Sequence, residues 1–206
     1  MEDQKQNLSG ILLKVAWMSI LLGVGMELIL VAIAAGFGKN PQVKVLMADM
    51  VQKISWASFL CMGIALGTAT ARSEIPRMGL LGMVSGPVAF FAAKALHKGA
   101  TEALAIAAPT SGMPSPFVMA LIKSLEYGSL GMLFAYLGRF PEAGLRAHAL
   151  TGFAIGLVFG GLVLYLMITQ TAATIPFLNM LSRGVNEIIF PVGCSVVLYS
   201  AKRLKI

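Results

Sequence analysis

Charge is the first thing this sequence is short of. Only 12% of its 206 residues are Asp, Glu, Lys or Arg, and 57% are apolar, whereas roughly a quarter of the residues of a soluble globular domain are charged. That balance excludes a water-soluble domain. Cysteine is as scarce: Cys61 and Cys194 fall inside apolar runs, with no CxxC pair and no Cys/His cluster. There is thus no disulfide framework and no metal-ligand spacing, and both cysteines read as packing residues. The two histidines, His97 and His148, border different apolar stretches on opposite sides of the membrane, so a single haem cannot take both as axial ligands. No HExxH, GxSxG, phosphate-binding loop or EF-hand spacing occurs. Nothing pairs a serine with a histidine, or two aspartates, at membrane depth. An enzyme, a metal and a cofactor are therefore not expected.

What is present is a series of apolar windows of about 20 residues, the length needed to cross the hydrocarbon core. Six such windows, Val15–Ala35, Ile54–Ala71, Met78–Leu96, Phe117–Gly138, Ala147–Ile168 and Gly184–Ala201, predict an all-α polytopic membrane protein in one integral membrane domain, 1–206. The first window is too long and too charged for a cleaved leader and reads as a retained helix. The link 38–53 sets Val43, Leu46, Met47, Met50 and Val51 at helical spacing, which predicts a short amphipathic helix in the membrane interface. Prolines and a glycine between Pro109 and Pro116 predict a loop. Ile175, Phe177, Leu178 and Leu181 predict a further surface helix or re-entrant piece.

The net charge of +7 would suggest nucleic acid in a soluble protein. Here the basic residues gather at span ends, where they orient helices and meet lipid headgroups, so membrane lipids are the expected partner and nucleic acid is not. Lys5, Lys14, Arg72, Arg77, Arg139, Arg146, Lys202, Arg203 and Lys205 share one side, against Lys39, Lys44, Lys53, Lys94, Lys98 and Arg183 on the other. The excess places both termini in the cytoplasm of a bacterial inner membrane.

The same landmarks recur in order in each half. A deep glutamate (Glu27, Glu126) is followed by a GxxxG pair (Gly63/Gly67, Gly156/Gly160) and then by an intrahelical Pro-Val (Pro87-Val88, Pro191-Val192). This predicts two three-helix repeats, about 9–100 and 110–206. An odd number of spans per unit inverts one against the other, a frequent plan for secondary transporters. Pro87, after Ser85-Gly86, and Pro191 are the expected helix breaks and gates, although each is also compatible with an ordinary kink satisfied by its neighbours. The glycine pairs are close-packing motifs and offer a homodimer face.

Glu27 and Glu126 carry the functional reading. A charge at the bilayer centre costs roughly 2.5 to 3.5 kcal/mol on insertion scales, so a buried carboxylate marks a site with a partner nearby. Glu126 lies nine residues into its window, about 13 to 14 Å deep, and Glu27 lies at a similar depth. Lys123, three positions before Glu126, stands where helix side chains meet. The expected ion pair is Lys123–Glu126 or Lys123–Glu27. Glu187, Asn186 and Ser85 are further candidates for the same cavity, with Glu187 also placed where it could sit at the interface. In a structural reading, the charges specify helix packing. In a functional reading, Lys123 and an arriving proton or cation compete for the glutamates. The latter leads to a small transporter or channel for an ion or small polar solute. The alternative is a non-catalytic subunit that anchors other membrane subunits.

Overall fold

The computed structural model describes residues 2–70, 75–106, 114–170 and 175–203, with side chains from residue 9 onward except 68–70. Six helices follow one another: α1 (Glu2–Gly36), α2 (Val43–Thr70), α3 (Ile75–Ala103), α4 (Pro116–Leu137), α5 (Leu145–Gln170) and α6 (Phe177–Arg203). Each contains a segment long and apolar enough to cross a membrane, and no strand occurs among the described residues. The chain is an all-helical integral membrane protein. Helices suit that setting because every interior N–H and C=O is bonded within its own segment.

The helix ends follow local chemistry. At the end of α1 the Lys39 amide bonds back to the Ala34 carbonyl at 2.9 Å, with Gly38 at φ +70, the left-handed turn that glycine allows without Cβ strain. The α4 helix opens on Ser115, whose hydroxyl accepts from the Val118 amide at 3.3 Å. Pro116 follows in the first turn, where its missing N–H leaves no helical bond unmade.

Consecutive helices pack side by side and α1 closes on α6, which also reaches α2 and α4. One face of α6 therefore runs through the centre of the bundle. Its buried positions Gly184, Glu187, Pro191, Cys194, Leu198 and Ala201 recur every three or four residues, the period of one helix face.

Three expectations change. The segment 43–51 is not a separate interfacial helix but the first turns of α2, and Ile175 to Leu181 lead directly into α6. Both helices are longer than their apolar windows and carry charges that pair within the bundle, Lys53 with Glu27 and Arg183 with Glu187. The glycine pairs face their own chain. A Cβ on Gly63 or Gly67 would meet Ser85, Leu81 and Met78 of α3, and one on Gly156 or Gly160 would meet Ile188 and Glu187 of α6. Those faces are filled by intrachain packing and leave no room for a second copy.

Of the two readings of the prolines, the unbroken course of α3 and α6 through Pro87 and Pro191 fits the ordinary proline accommodated by its neighbours. Pro87 cannot donate to the carbonyl of Met83, and the Ser124 hydroxyl of α4 donates to it instead, at 2.8 Å. The carbonyl that Pro191 leaves, on Glu187, lies against the backbone of α5 at Gly156. A neighbouring helix supplies a replacement donor at Pro87 and close packing at Pro191. The expected loop between Pro109 and Pro116 falls mostly outside the described residues, as do part of the link 72–77 and residues 171–174.

Candidate functional site

Lys123 stands at the centre of the site. It lies on the buried face of α4 and is 5% exposed, while Glu126 is 0% and Glu187 2% exposed. Its ammonium donates to Glu126 Oε2 at 2.6 Å, one helical turn away, and to Glu187 Oε2 on α6. Arg183, one turn before Glu187, sets its Nε 2.9 Å from Glu187 Oε1. Two cations and two carboxylates thus form a neutral cluster joining α4 to α6. Burial of charge is tolerated when each ion has such a partner, and removal of one leaves the other exposed to the full desolvation penalty.

Aromatic rings complete the enclosure. The Lys123 ammonium lies 5.6 Å from the Trp56 ring centroid and 5.7 Å from that of Tyr127, within the range at which a ring face attracts a cation. Trp56 meets Phe90, Tyr127 and Phe190 edge to face, at centroid distances of 6.3, 5.9 and 6.4 Å. Tyr127 is fully buried, and its hydroxyl lies beside Trp56 and Glu126 within the same enclosure.

Lys123, Arg183 and Glu187 of this cluster line a cavity of about 570 Å³, within the size range of small-molecule sites. Gln52, Lys53 and Trp56 of α2 and Phe90, Lys94 and His97 of α3 line one side; Met119, Lys123 and Tyr127 of α4 and Arg183, Asn186 and Glu187 of α6 line the other. The wall also includes Lys98, Thr101, Asn179, Ser182, Phe190 and Leu30. Its elements are the end of α1, the start of α2, the end of α3 and the starts of α4 and α6, so the cavity occupies one end of the bundle.

Two further pairs frame it. Lys53 pairs with Glu27, which is 4% exposed, joining α2 to α1. His97 Nε2 lies 3.0 Å from Asp49 Oδ1, joining α3 to α2. Among the described residues, no group of three or more Asp, Glu, His or Cys side chains could hold a metal ion.

The structure brings Glu126, Lys123, Glu187 and Asn186 to one place. Glu27 is held apart, because Lys53 rather than Lys123 is its counter-ion. Glu187 is not at the interface but buried. Ser85 lies against Gly63 between α3 and α2 and does not line the cavity. Sequence reasoning missed Lys53, Trp56, Tyr127 and Arg183. The signal was available for three of them: Lys53, Trp56, Ala57, Leu60 and Ile64 share one face at three- and four-residue steps, and Arg183 stands one turn before Glu187.

The fold and the cavity define a six-helix integral membrane protein with a charged internal site. Compared with known proteins, the chain matches no family, no curated protein and no solved structure.

Proposed function

We propose that the protein is a small secondary transporter or channel for a small polar or charged solute, which enters the cavity and acts on the Lys123 cluster. The observation that carries this reading is one cation, Lys123, lining a cavity large enough for a solute and shared by two buried carboxylates, Glu187 on the lining and Glu126 behind it. A lysine bridging two helices can be released by a competing solute or by protonation of either glutamate. Release from Glu187 frees α4 from α6, which is a conformational step coupled to binding. Glu27 and Glu126 each find a cation within the chain, which supports a protein acting without partner subunits over an anchoring subunit whose charges are balanced by others. With the arginine-bearing tight links on the cytoplasmic side of a bacterial inner membrane, the cavity opens outward. Two inverted halves rocking against one another would carry the solute across.

Solute and proton flux in proteoliposomes tests this, with an internal pH dye under imposed gradients. Wild type should show flux that Glu126→Gln and Lys123→Gln abolish while the protein remains folded. Absence of flux in wild type under every gradient, with the variants merely less stable, would overturn the proposal.

A further inference from the structure

The cavity wall sorts its charges. Lys53, Lys123 and Arg183 line it, whereas Glu27 and Glu126, the partners of the first two, stand behind it. Glu187 is the only carboxylate on the described lining, against five cationic side chains. Lys94 and Lys98 supply the other two cations. Lys94 has no carboxylate partner among the described residues and rests 5.9 Å from the centroid of the Phe90 ring. Arg183 meets Glu187 through Nε, which leaves the two terminal nitrogens of its fork for a ligand, the geometry best suited to a carboxylate.

Four aromatic rings, Trp56, Phe90, Tyr127 and Phe190, stand around the same space, beside polar side chains such as Gln52, Ser182 and Asn186. Lys98 pairs with Glu102 at 3.7 Å, and Glu187, the one lining carboxylate a cation could use, is already held by Lys123 and Arg183. A bare inorganic anion would satisfy the lysines but leave the aromatic surface facing water. A ligand with both an anionic group and an apolar body uses both halves.

We infer that the site takes a small organic anion: a carboxylate on an apolar body. The carboxylate is received by Arg183 and Lys123 in place of Glu187, and the body lies against Trp56 and Phe90. This deepens the solute-site reading above and rests on it. Because Glu187 holds the same cations that the ligand needs, it acts as an internal competitor, and ligand binding frees it.

The chain has two tryptophans, Trp17 and Trp56, and Trp17 is 64% exposed on the outer face of α1. Trp17→Phe therefore leaves Trp56 as a single fluorescent reporter inside the cavity. The full chain in nanodiscs is titrated with 3-phenylpropionate, its neutral amide, 3-phenylpropylammonium and acetate. The expected result is a saturable change with 3-phenylpropionate, at least tenfold weaker binding of the amide and of acetate, and no saturable response to the ammonium. Arg183→Gln should weaken binding at least tenfold, and Glu187→Gln should tighten it severalfold, an effect that mere loss of structure cannot produce. Should either buried variant fail to fold, Lys94→Gln, at the exposed rim, should weaken binding a few-fold and reduce its salt dependence. No saturable response to 3-phenylpropionate, equal affinity for acid and amide, preference for the ammonium, or unaltered binding in Lys94→Gln would each overturn the inference. Binding as expected without flux would remove the transport proposal and keep the anion site. Flux of a cation without 3-phenylpropionate binding would do the reverse.

Discussion

The Ser124 hydroxyl on α4 donates to the Met83 carbonyl on α3 at 2.8 Å, and Met83 is the residue whose carbonyl Pro87, four positions on, cannot serve. One hydroxyl therefore lets a proline sit within a membrane helix without breaking it. Ser124→Ala should cost about 1 to 3 kcal/mol, the range for leaving a buried acceptor unpaired. In a Pro87→Ala background the new amide can reach Met83 within α3, so the same substitution should cost much less. Thermal midpoints in detergent for the four proteins of this cycle give the coupling directly. Equal losses in both backgrounds would mean that Ser124 is not the substitute donor.

The Lys123 cluster predicts a different pattern of loss and recovery. Lys123→Met strands two carboxylates that are 0% and 2% exposed, and breaking a buried pair from one side costs about 3 to 5 kcal/mol. Adding Glu126→Gln and Glu187→Gln removes the stranded charges, and Arg183, partly exposed, can turn its head toward the cavity. The triple variant should thus recover most of the lost stability while remaining inactive in flux. A triple variant less stable than Lys123→Met alone would show that the cluster matters to packing through more than its charge.

How much of this was legible beforehand follows from what hydropathy measures. The six spans were readable because length and apolar content are sums along the chain, and the Lys123–Glu126 pair because three-residue spacing fixes which side chains meet. Lys53 and Arg183 read as charges at membrane edges because a sum cannot tell whether a lysine near a helix start faces water or turns inward to a glutamate on another helix. The same blindness shortened α2 and α6, whose Lys53 and Arg183 find carboxylate partners inside the bundle. The glycine pairs were recognised as close-packing surfaces, but sequence spacing does not say which helix a surface meets. Ser124 could not have been matched to Pro87 without knowing that α3 and α4 are neighbours.

Glu27 and Lys53 should respond unequally to removal of one another. Glu27 is nearly sealed, with 5% of its side chain exposed, whereas Lys53 keeps 13% and borders the cavity. Lys53→Met leaves a carboxylate with no route to water and should cost about 3 kcal/mol. Glu27→Gln leaves an ammonium whose flexible stem can carry it into the cavity, at about 1 kcal/mol within the range of a lost hydrogen bond. Chemical unfolding of the two single variants measures the asymmetry. Equal losses would indicate that Lys53 is as confined as its partner.

The close approach of α3 and α4, which sets Lys123 and Tyr127 in place, depends on glycine. A Cβ at Gly82 would overlap the backbone carbonyl of Tyr127, and one at Gly131 the carbonyl of Met78, so neither can be relieved by a side-chain rotation. At Gly161, by contrast, a Cβ would meet nothing within 4 Å. Alanine is favoured over glycine in a helix interior by about 1 kcal/mol, so Gly161→Ala should be neutral or raise the thermal midpoint. Gly82→Ala must push two helices apart and should cost about 1 to 3 kcal/mol or more, the range for overpacking a closed interior, in spite of the same propensity gain. Because the displaced backbone is that of Tyr127, Gly82→Ala should also shift the emission of Trp56, which packs on that ring, in the Trp17→Phe background. A lowered midpoint with unchanged Trp56 emission would confine the damage to helix packing, and an unchanged midpoint would mean that α3 and α4 do not cross as closely as the structure places them.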